Sequence, residues 1–393
     1  MGHRFWFACA ALVMLLSACV DEPTRPVAAA TRPSRDIPDV PFTRLSSHFA
    51  YVWAHQPQAP SYSPMPQYSY NATGGAMHIY HGVAGRYTVT FDGFAEDTTG
   101  HTPYDYRLGL SVVAYGATTI GCAVAFGPGI LNGRLNVGVA CYDRITHEYV
   151  DSRFSLLVVG AQSVEGRHSL VWRDDHSFSY APGYTPDSAT SFTTGPNPIL
   201  ISYDPATLSE NVKFGTGNVA GTTALITPDD WGNLGGDPAM NPDVTCQLGG
   251  WVNNSVEKRC FNRLGQPGPE PAYLMQLERG RTGRRFGFAY AHQPSTASYA
   301  PAAGHSYNSS GGAITVNHTA TGRYTLEFDG LQTPDGHSEN VQVSPFGGDV
   351  PTACNIVRWV NSVSNTSLLV LVECRRAETG AYRDTKFNVV VIE

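Results

Sequence analysis

The sequence repeats itself, and this repeat constrains the fold more than any other feature. Residues 49–57 (FAYVWAHQP) return as 286–294 (FGFAYAHQP), an offset of 237 residues. The motifs Tyr-Asn-x-x-Gly-Gly and Gly-Arg-Tyr-Thr recur at the same offset. Half of this offset leaves room for one more copy, and Ser-Tyr-Ala-Pro at 179–182 matches 298–301. The chain therefore contains three copies of one module, of which the middle copy is divergent.

The cysteines support the same division. Two of the eight cysteines lie near the N-terminus. An even number of cysteines at short spacing is typical of disulfides in an oxidising compartment. Zinc is the alternative, but no Cys-x-x-Cys and no Cys/His spacing typical of zinc ligands occurs. We expect one disulfide in each module: Cys122–Cys141, Cys246–Cys260 and Cys354–Cys374.

Within a module, apolar residues alternate with a period of two. Phe49, Tyr51 and Trp53 share one face of a strand, because successive strand side chains point to opposite faces. Asn132-Gly133 separates two apolar segments and favours a tight hairpin. Charged residues make up only 15% of the chain, which favours short strands over long helices. We predict an all-β chain of three tandem β-sandwich modules, with a jelly-roll-like arrangement as a variant.

These observations divide the chain into five parts. Modules of about 115 residues lie in the common size range of domains and can each bury a core. The parts are a signal peptide at 1–18, a tether at 19–46, module 1 at 47–162, the divergent module 2 at 163–281, and module 3 at 282–393.

The first nineteen residues predict export. Arg4 precedes an apolar stretch of about 12 residues, whereas a permanent membrane helix needs about 20. The stretch ends in Leu16-Ser17-Ala18-Cys19, which resembles the lipobox of bacterial lipoproteins. By that resemblance, cleavage leaves Cys19 as the lipidated first residue, and the lipid is the membrane anchor. Because Val20 follows, the resemblance implies the outer membrane where there is one, and otherwise the outer face of the plasma membrane.

Composition limits the other partners. Residues 20–46 are rich in Pro, Ala, Thr and Arg, which favours an extended tether. The net charge is −7 and no basic run occurs, so nucleic acid is not an expected partner. We expect no cofactor, because no phosphate-binding glycine loop is present, and neither a Gly-x-Ser-x-Gly nor a His-Glu-x-x-His motif predicts catalytic residues.

The modules also resemble known proteins. The order Tyr-Asn-x-x-Gly-Gly, Gly-Arg-Tyr-Thr, Cys and Cys looks like that of tandem modules in uncharacterised secreted bacterial proteins. The Gly-x-Tyr-x-x-x-Phe rhythm is similar to that of jelly-roll trimer domains. That second resemblance implies that the three copies pack as a pseudo-trimer.

The outer copies share candidate binding residues. A Gly-Gly pair lets a partner approach the backbone closely, and a tyrosine offers an apolar face with a polar tip. The alternative, which we favour, is a well-made turn before a strand. The middle copy reads SFTTGP at 191–196, without the asparagine. The candidates are Tyr62, Tyr70 and Asn71 in module 1 and Tyr299, Tyr307 and Asn308 in module 3.

Three histidines also recur, and imidazole is a good ligand for Zn²⁺ or Cu²⁺. Residues shared by two copies can equally be residues that have not yet diverged, so a metal site is not the favoured interpretation. The histidines are His55, His81 and His101 in module 1 and His292, His318 and His337 in module 3.

Two functions remain open. The favoured one is a non-catalytic binding or structural protein of the cell envelope, whose partner is a glycan, another extracellular polymer or an envelope protein. Repeated modules on a tether gain avidity from several sites in series. The alternative is a glycan-active envelope hydrolase with its site in the middle module. The residues that support it are Asp229, Asp230, Trp231 and Asp237.

The lipid anchor can be tested directly. Cys19→Ala removes the acylated thiol, so we expect the protein to leave the membrane fraction while it keeps its β-structure. Cell fractionation with a salt wash measures the first effect, and circular dichroism of the released protein measures the second. Retention of the variant on washed membranes would show that lipid is not the anchor.

Overall fold

Each copy of the repeat folds into two β-sheets that pack face to face. A computed structural model describes residues 49–94, 108–160, 168–173, 191–193, 197–215, 220–229, 244–252, 255–268, 270–279, 285–332 and 339–393. Cys19, His101, His337, Asp230, Trp231 and Asp237 lie outside these ranges. The helical segments in the described ranges are one-turn 3-10 helices at Pro66–Tyr68 and Ala303–His305. The described part is otherwise built of strands and loops, which confirms the all-β prediction.

Nine strands of module 1 lie in the described residues. The inner sheet has the order β3-β1-β9-β6 and the outer sheet the order β2-β4-β5-β8-β7. The strands are β1 (Phe49–Ala54), β2 (Ser61–Tyr62), β3 (Ser69–Asn71), β4 (Met77–Val83), β5 (Arg86–Asp92), β6 (Leu108–Ala114), β7 (Ile120–Leu131), β8 (Arg134–Asp143) and β9 (Phe154–Gly160).

Module 2 follows the same plan in spite of its divergence. Its strands are β10 (His168–Arg173), β11 (Ser191–Thr193), β12 (Leu200–Asp204), β13 (Ser209–Lys213), β14 (Thr222–Pro228), β15 (Thr245–Val252), β16 (Ser255–Phe261), β17 (Pro267–Gly268) and β18 (Ala272–Glu278). The inner sheet has the order β11-β10-β18-β14, and the outer sheet has the order β12-β13-β16-β15.

Module 3 repeats module 1 strand for strand. Its strands are β19 (Phe286–Ala291), β20 (Ser298–Tyr299), β21 (Ser306–Asn308), β22 (Ile314–Ala320), β23 (Arg323–Asp329), β24 (Asn340–Phe346), β25 (Thr352–Asn361), β26 (Ser367–Arg376) and β27 (Lys386–Ile392). The inner sheet, β21-β19-β27-β24, joins the outer sheet of module 2 where β24 meets β15.

The cysteine hairpins confirm the expected disulfides. Asn132 and Gly133 have φ of 54° and 71°, which is the left-handed conformation that a tight hairpin turn requires. The two cysteines of each pair lie directly opposite each other on adjacent antiparallel strands. The bonds are Cys122–Cys141, Cys246–Cys260 and Cys354–Cys374.

The strand register corrects the alignment of the middle copy. Phe192 lies opposite Leu170, as Tyr70 lies opposite Tyr51. When SFTTGP at 191–196 is set against Tyr-Asn-x-x-Gly-Gly, Ser191 is aligned with Tyr70. That alignment is wrong by one residue, because Phe192 takes the position of Tyr70. Thr193 therefore occupies the position of Asn71.

Both faces of each inner sheet are buried. One face of β1 contributes Ala50 and Val52 to the sandwich core of module 1. The other face contributes Phe49 and Tyr51 to a second hydrophobic cluster that all three modules share. The remaining members of this central core are Leu157, Val159, Leu170, Leu225, Met275, Leu277, Phe286, Phe288, Val390 and Ile392. The three modules therefore pack against one another around this shared core.

Three strand contacts close the modules into a ring. In each contact, the residue at the end of β6, β24 or β14 forms a parallel bridge with the residue two positions after the first cysteine of another module. The bridges are Tyr115–Ile356, Phe346–Leu248 and Asp229–Val124. They link module 1 to 3, 3 to 2, and 2 to 1, so the contacts are head-to-tail and closed. This is the arrangement that the resemblance to jelly-roll trimers implied.

Module 2 carries a buried ion pair at a position where its neighbours are uncharged. Lys258 Nζ lies 2.9 Å from Glu210 Oε2, and the side chains are 3% and 2% exposed. Glu210 lies opposite Lys258 on β13 and β16. The equivalent pairs are Tyr87–Val139 and Tyr324–Val372. Removal of one partner of such a pair is strongly destabilising, because it leaves a buried charge.

The disulfides also indicate the compartment. Disulfides persist outside the cytoplasm and are rare inside it, so the chain is an extracytoplasmic protein. Among the described residues, no helix is both long and apolar enough to cross a membrane.

Glu339 gives the fold a pH dependence. This residue is only 7% exposed. Burial is the main cause that raises the pKa of its carboxyl group to about 8; nearby Glu393 adds to the rise, and Arg285 opposes it. The folded state therefore keeps its proton up to about pH 8, whereas the unfolded chain loses it near its ordinary pKa of about 4.3.

We expect Glu339→Gln to stabilise the protein at high pH. Stability from the protonated carboxyl is full below the unfolded pKa and is lost as pH rises through the folded pKa. At pH 8, the variant should gain roughly 2–4 kcal/mol in free energy of unfolding, and the gain should shrink towards pH 4. Urea unfolding at several pH values measures this. Parallel pH profiles for variant and wild type would contradict it.

Candidate functional site

The three bridges mark three contact zones between modules, which we call seams. The first seam joins modules 1 and 3 at Tyr115, the second joins modules 3 and 2 at Phe346, and the third joins modules 2 and 1 at Asp229. Because these positions are equivalent, the seams can be compared residue by residue.

Four aromatic rings meet at the first seam. Trp53 lies on β1, Tyr68 lies on the 3-10 turn, Tyr115 directly follows β6, and Trp359 lies on β25 of module 3. The ring centroids of Trp53 and Tyr68 are 5.0 Å apart, those of Trp53 and Tyr115 5.1 Å, and those of Tyr115 and Trp359 5.2 Å. Trp359 is 7% exposed, whereas the other three are half-buried. The seam is thus an aromatic cluster that reaches the surface.

Two residues identified from the sequence extend this cluster. The ring of His55 lies 5.5 Å from that of Trp53 and 5.1 Å from that of Tyr62. The Tyr62 hydroxyl accepts a hydrogen bond from the backbone N–H of Gln56 at 3.2 Å. Burial lowers the pKa of His55, and nearby Arg153 lowers it further. His55 is therefore neutral at pH 7.

The second seam has an equivalent cluster. Tyr290, His305 and Phe346 of module 3 take the positions of Trp53, Tyr68 and Tyr115, and Trp251 of module 2 takes that of Trp359. Tyr290 and Phe346 are 4.6 Å apart, and Trp251 stacks on His305 at 5.8 Å. His292 and Tyr299 lie beside it with a centroid distance of 5.3 Å. Two of the three seams therefore share one aromatic architecture.

Indole N–H groups in both clusters lack hydrogen-bond acceptors. Within the part of the chain that the structure describes, no acceptor lies near Nε1 of Trp53, Trp359 or Trp251, and each of these atoms is buried. A buried donor of this kind costs about 1–3 kcal/mol. Edge-on contact with a neighbouring ring offsets part of that cost.

Cations border the two aromatic seams. The backbone N–H of Tyr115 donates to the carbonyl of Arg153 at 2.9 Å, and Lys386 lies directly opposite Phe346. Burial raises the pKa of Tyr115, and Tyr68 adds to the shift, whereas Arg153 and Arg358 oppose it. Arg358 directly precedes Trp359 on β25. The side chains of Arg153, Arg358 and Lys386 are exposed.

The third seam differs at both positions. Asp229 replaces the aromatic residue, and its backbone N–H donates to the carbonyl of Pro271 at 3.1 Å. Pro271 thus takes the place of Arg153. Asp229 is 2% exposed, so it lies in the contact between modules rather than on an open loop. Of the four residues that suggested a hydrolase, Asp229 alone falls in the described ranges.

His81 and His318 serve a different purpose. His81 Nε2 lies 2.8 Å from Asp151 Oδ1, which also accepts the backbone N–H of Gly85 at 2.8 Å. Module 3 repeats this with His318 and Asp384 at 2.9 Å. The pair ties the β4–β5 turn to the loop before β9. Among the described residues, no group of three or more His, Cys, Asp or Glu side chains could hold a metal.

The Tyr-Asn-x-x-Gly-Gly loop is a hydrogen-bonded turn. The Asn71 amide donates to the carbonyls of Gly75 and Asp92 and accepts from the backbone N–H and hydroxyl of Thr73. A side chain at Gly75 would collide with the Asp92 carbonyl, since its Cβ would lie 2.2 Å from that oxygen. Asn308 makes the same bonds in module 3. Tyr70 and Tyr307 pack against the central core.

The aromatic partners at the seams were missed in the sequence. Tyr68, Tyr115, Trp251 and Trp359 lie outside the matching motifs. Their pairing across modules became visible only from the ring. A usable signal exists for Trp359 and Trp251, because each follows the first cysteine of its pair by five residues. No protein-family model matches this chain, and no curated protein matches it.

The turn makes a testable prediction about Asn71. Asn71→Ala removes the amide that donates to the carbonyls of Gly75 and Asp92, although the Asp92 carbonyl still accepts from the Thr73 hydroxyl. We therefore expect a loss of about 1–3 kcal/mol in the free energy of unfolding. Urea denaturation measures this. The control is Asn317→Ala, a half-buried asparagine on β22, for which about 0.5 kcal/mol or less is expected. Equal effects of the two variants would contradict the role of the turn.

Proposed function

We propose that this chain is a lipid-anchored protein of the cell envelope that binds an extracellular polymer, a glycan, at its first and second seams. The Leu-Ser-Ala-Cys sequence at 16–19 supports the anchor, and the Pro-rich stretch that follows supports a tether. The three disulfides support a position outside the cytoplasm. The seams supply the binding surface.

The observation that carries the proposal is the aromatic cluster that two seams share. Sugar rings present apolar C–H faces together with hydroxyl oxygens. Half-buried rings such as Tyr68 and Tyr115 offer matching apolar faces with polar tips. The phenol hydroxyls of Tyr68 and Tyr115, which lie on these half-buried rings, can form hydrogen bonds with sugar oxygens. One ligand would thus be held by stacking and by hydrogen bonds.

The two sites lie on one compact unit, Phe42–Glu393. A polymer long enough to reach both sites binds the second one intramolecularly, which raises avidity. Each site takes residues from two modules, since Trp359 and Trp251 come from the neighbour. An isolated module therefore carries no complete site. Tyr62 and Tyr299 remain candidate contacts at the edges of the clusters.

The hydrolase gains no specific support. Its carboxylates at 230 and 237 lie outside the described residues, and Asp229 is buried in the third seam. A pair of carboxylates can hydrolyse a glycoside only when the two face each other across about 5–10 Å. Binding without catalysis is therefore the function that the described geometry supports best.

Removal of one ring from each seam tests the proposal. The mature chain with Cys19→Ala is screened against cell-wall and environmental polysaccharides by affinity electrophoresis. We expect Tyr68→Ala combined with His305→Ala to weaken binding at least about tenfold, because each site loses one stacking partner and the avidity falls with it.

The matched control is Tyr80→Ala, which removes an aromatic side chain that is 40% exposed on β4, away from the seams. It should bind as wild type does, and thermal melting of both variants shows that they are folded. Unchanged binding by the seam variant, or an equal loss in the control, would reject the seams as the binding surface.

A further inference from the structure

The aromatic seams carry positive charge in a chain that is negative overall. The net charge is −7, yet exposed Arg153 and Arg358 border the first seam, and exposed Lys386 borders the second. None of the three forms an ion pair with another described residue. Their charges are therefore available to a ligand.

The third seam shows that cation and aromatic ring occur together. Arg153 and Lys386 occupy equivalent positions, since each pairs with the aromatic residue that ends β6 or β24. At the third seam the equivalent residues are Pro271 and Asp229. At this pair of positions, the cation is thus present where the aromatic residue is present, and Asp229 and Pro271 replace both at the third seam. This pairing is the pattern of a composite site rather than of scattered surface charge.

The chemistry of these groups selects an anion attached to a sugar. A guanidinium group binds a carboxylate through two parallel hydrogen bonds, whereas a neutral hydroxyl has no charge to complement it. Aromatic rings beside the guanidinium hold the apolar face of a ring. Arg153 pairs with Tyr115 through the backbone and Arg358 directly precedes Trp359 on β25, so both cations border the same aromatic cluster.

We propose that the polymer bound at the seams is an acidic polysaccharide, whose carboxylates contact Arg153, Arg358 and Lys386 while its sugar rings stack on the seam aromatics. This inference rests on the proposed function and adds the charge of the ligand. Membranes with anionic lipids and polyanionic proteins offer charge without stackable sugar rings, so they do not use the whole site.

Three probes separate the contributions of charge and ring. Polygalacturonate has both sugar rings and carboxylates, its fully methyl-esterified form has the rings alone, and polyglutamate has the carboxylates alone. Binding to the mature Cys19→Ala chain is measured by calorimetry at low and at physiological salt. We expect polygalacturonate to bind at least about tenfold more tightly than either of the other two, and more weakly as salt rises.

Variants then test whether the three seam cations bind the carboxylates. Arg153→Gln combined with Arg358→Gln and Lys386→Gln should reduce affinity for polygalacturonate about tenfold or more and flatten its salt dependence. The matched control is Arg134→Gln combined with Arg263→Gln and Lys213→Gln, which removes three exposed cations outside the two seams. The control should bind as wild type does.

The outcomes of these experiments distinguish a failure of the acidic-ligand inference from a failure of the proposed glycan binding. The methyl ester could bind as tightly as polygalacturonate, and the variant of the three seam cations could bind as wild type does. That result would show that the ligand is not acidic, although the proposed glycan binding would be kept. Equal binding of polyglutamate would also overturn the acidic-ligand inference, because charge alone would then suffice. If no polysaccharide binds and Tyr68→Ala combined with His305→Ala changes nothing, the proposed function itself fails.

Discussion

The central core shared by the three inner sheets is the contact on which the rest of the structure depends. A lone module would expose Phe49, Tyr51 and their neighbours on β9 to water, and each large apolar side chain left exposed forfeits about 1.5–3 kcal/mol. Three modules around one core bury all of these faces at once. The closed ring of strand bridges follows from this burial, and the seams follow from the ring.

The sequence predicted the features formed by residues that are close together in the chain. It missed the contacts between residues of different modules. Hairpin turns, disulfides and strand faces depend on residues that are near each other in the chain, such as Asn132-Gly133 and the two cysteines that flank it. The period of two shows that Phe49 and Tyr51 share a face, but it does not show whether that face meets water or another module. For the same reason the sequence did not show that Asp229, named there as support for a hydrolase, is buried between modules.

The same limit applies to the candidate site. Residues shared by the outer copies were the natural candidates, yet several of them hold the fold. Asn71 closes a turn and His81 ties a hairpin to Asp151. Tyr115 and Trp359 build the first seam from different modules, and no comparison of aligned copies can bring them together. A residue that is identical in two copies can be needed for folding as well as for binding. The comparison of copies therefore identified His55 and Tyr62 only among other shared residues, several of which hold the fold.

The divergence of module 2 has a physical explanation in the ring. Its inner sheet has to keep its apolar residues, because Leu170, Met275 and Leu277 complete the central core. Its outer sheet takes no part in the central core, and there Glu210 and Lys258 replace a tyrosine and a valine as a mutually compensating buried pair. At its seam with module 1, Asp229 and Pro271 replace the ring and the cation. Module 2 still supplies Trp251 to the second seam, so its divergence leaves the aromatic clusters of the first and second seams complete.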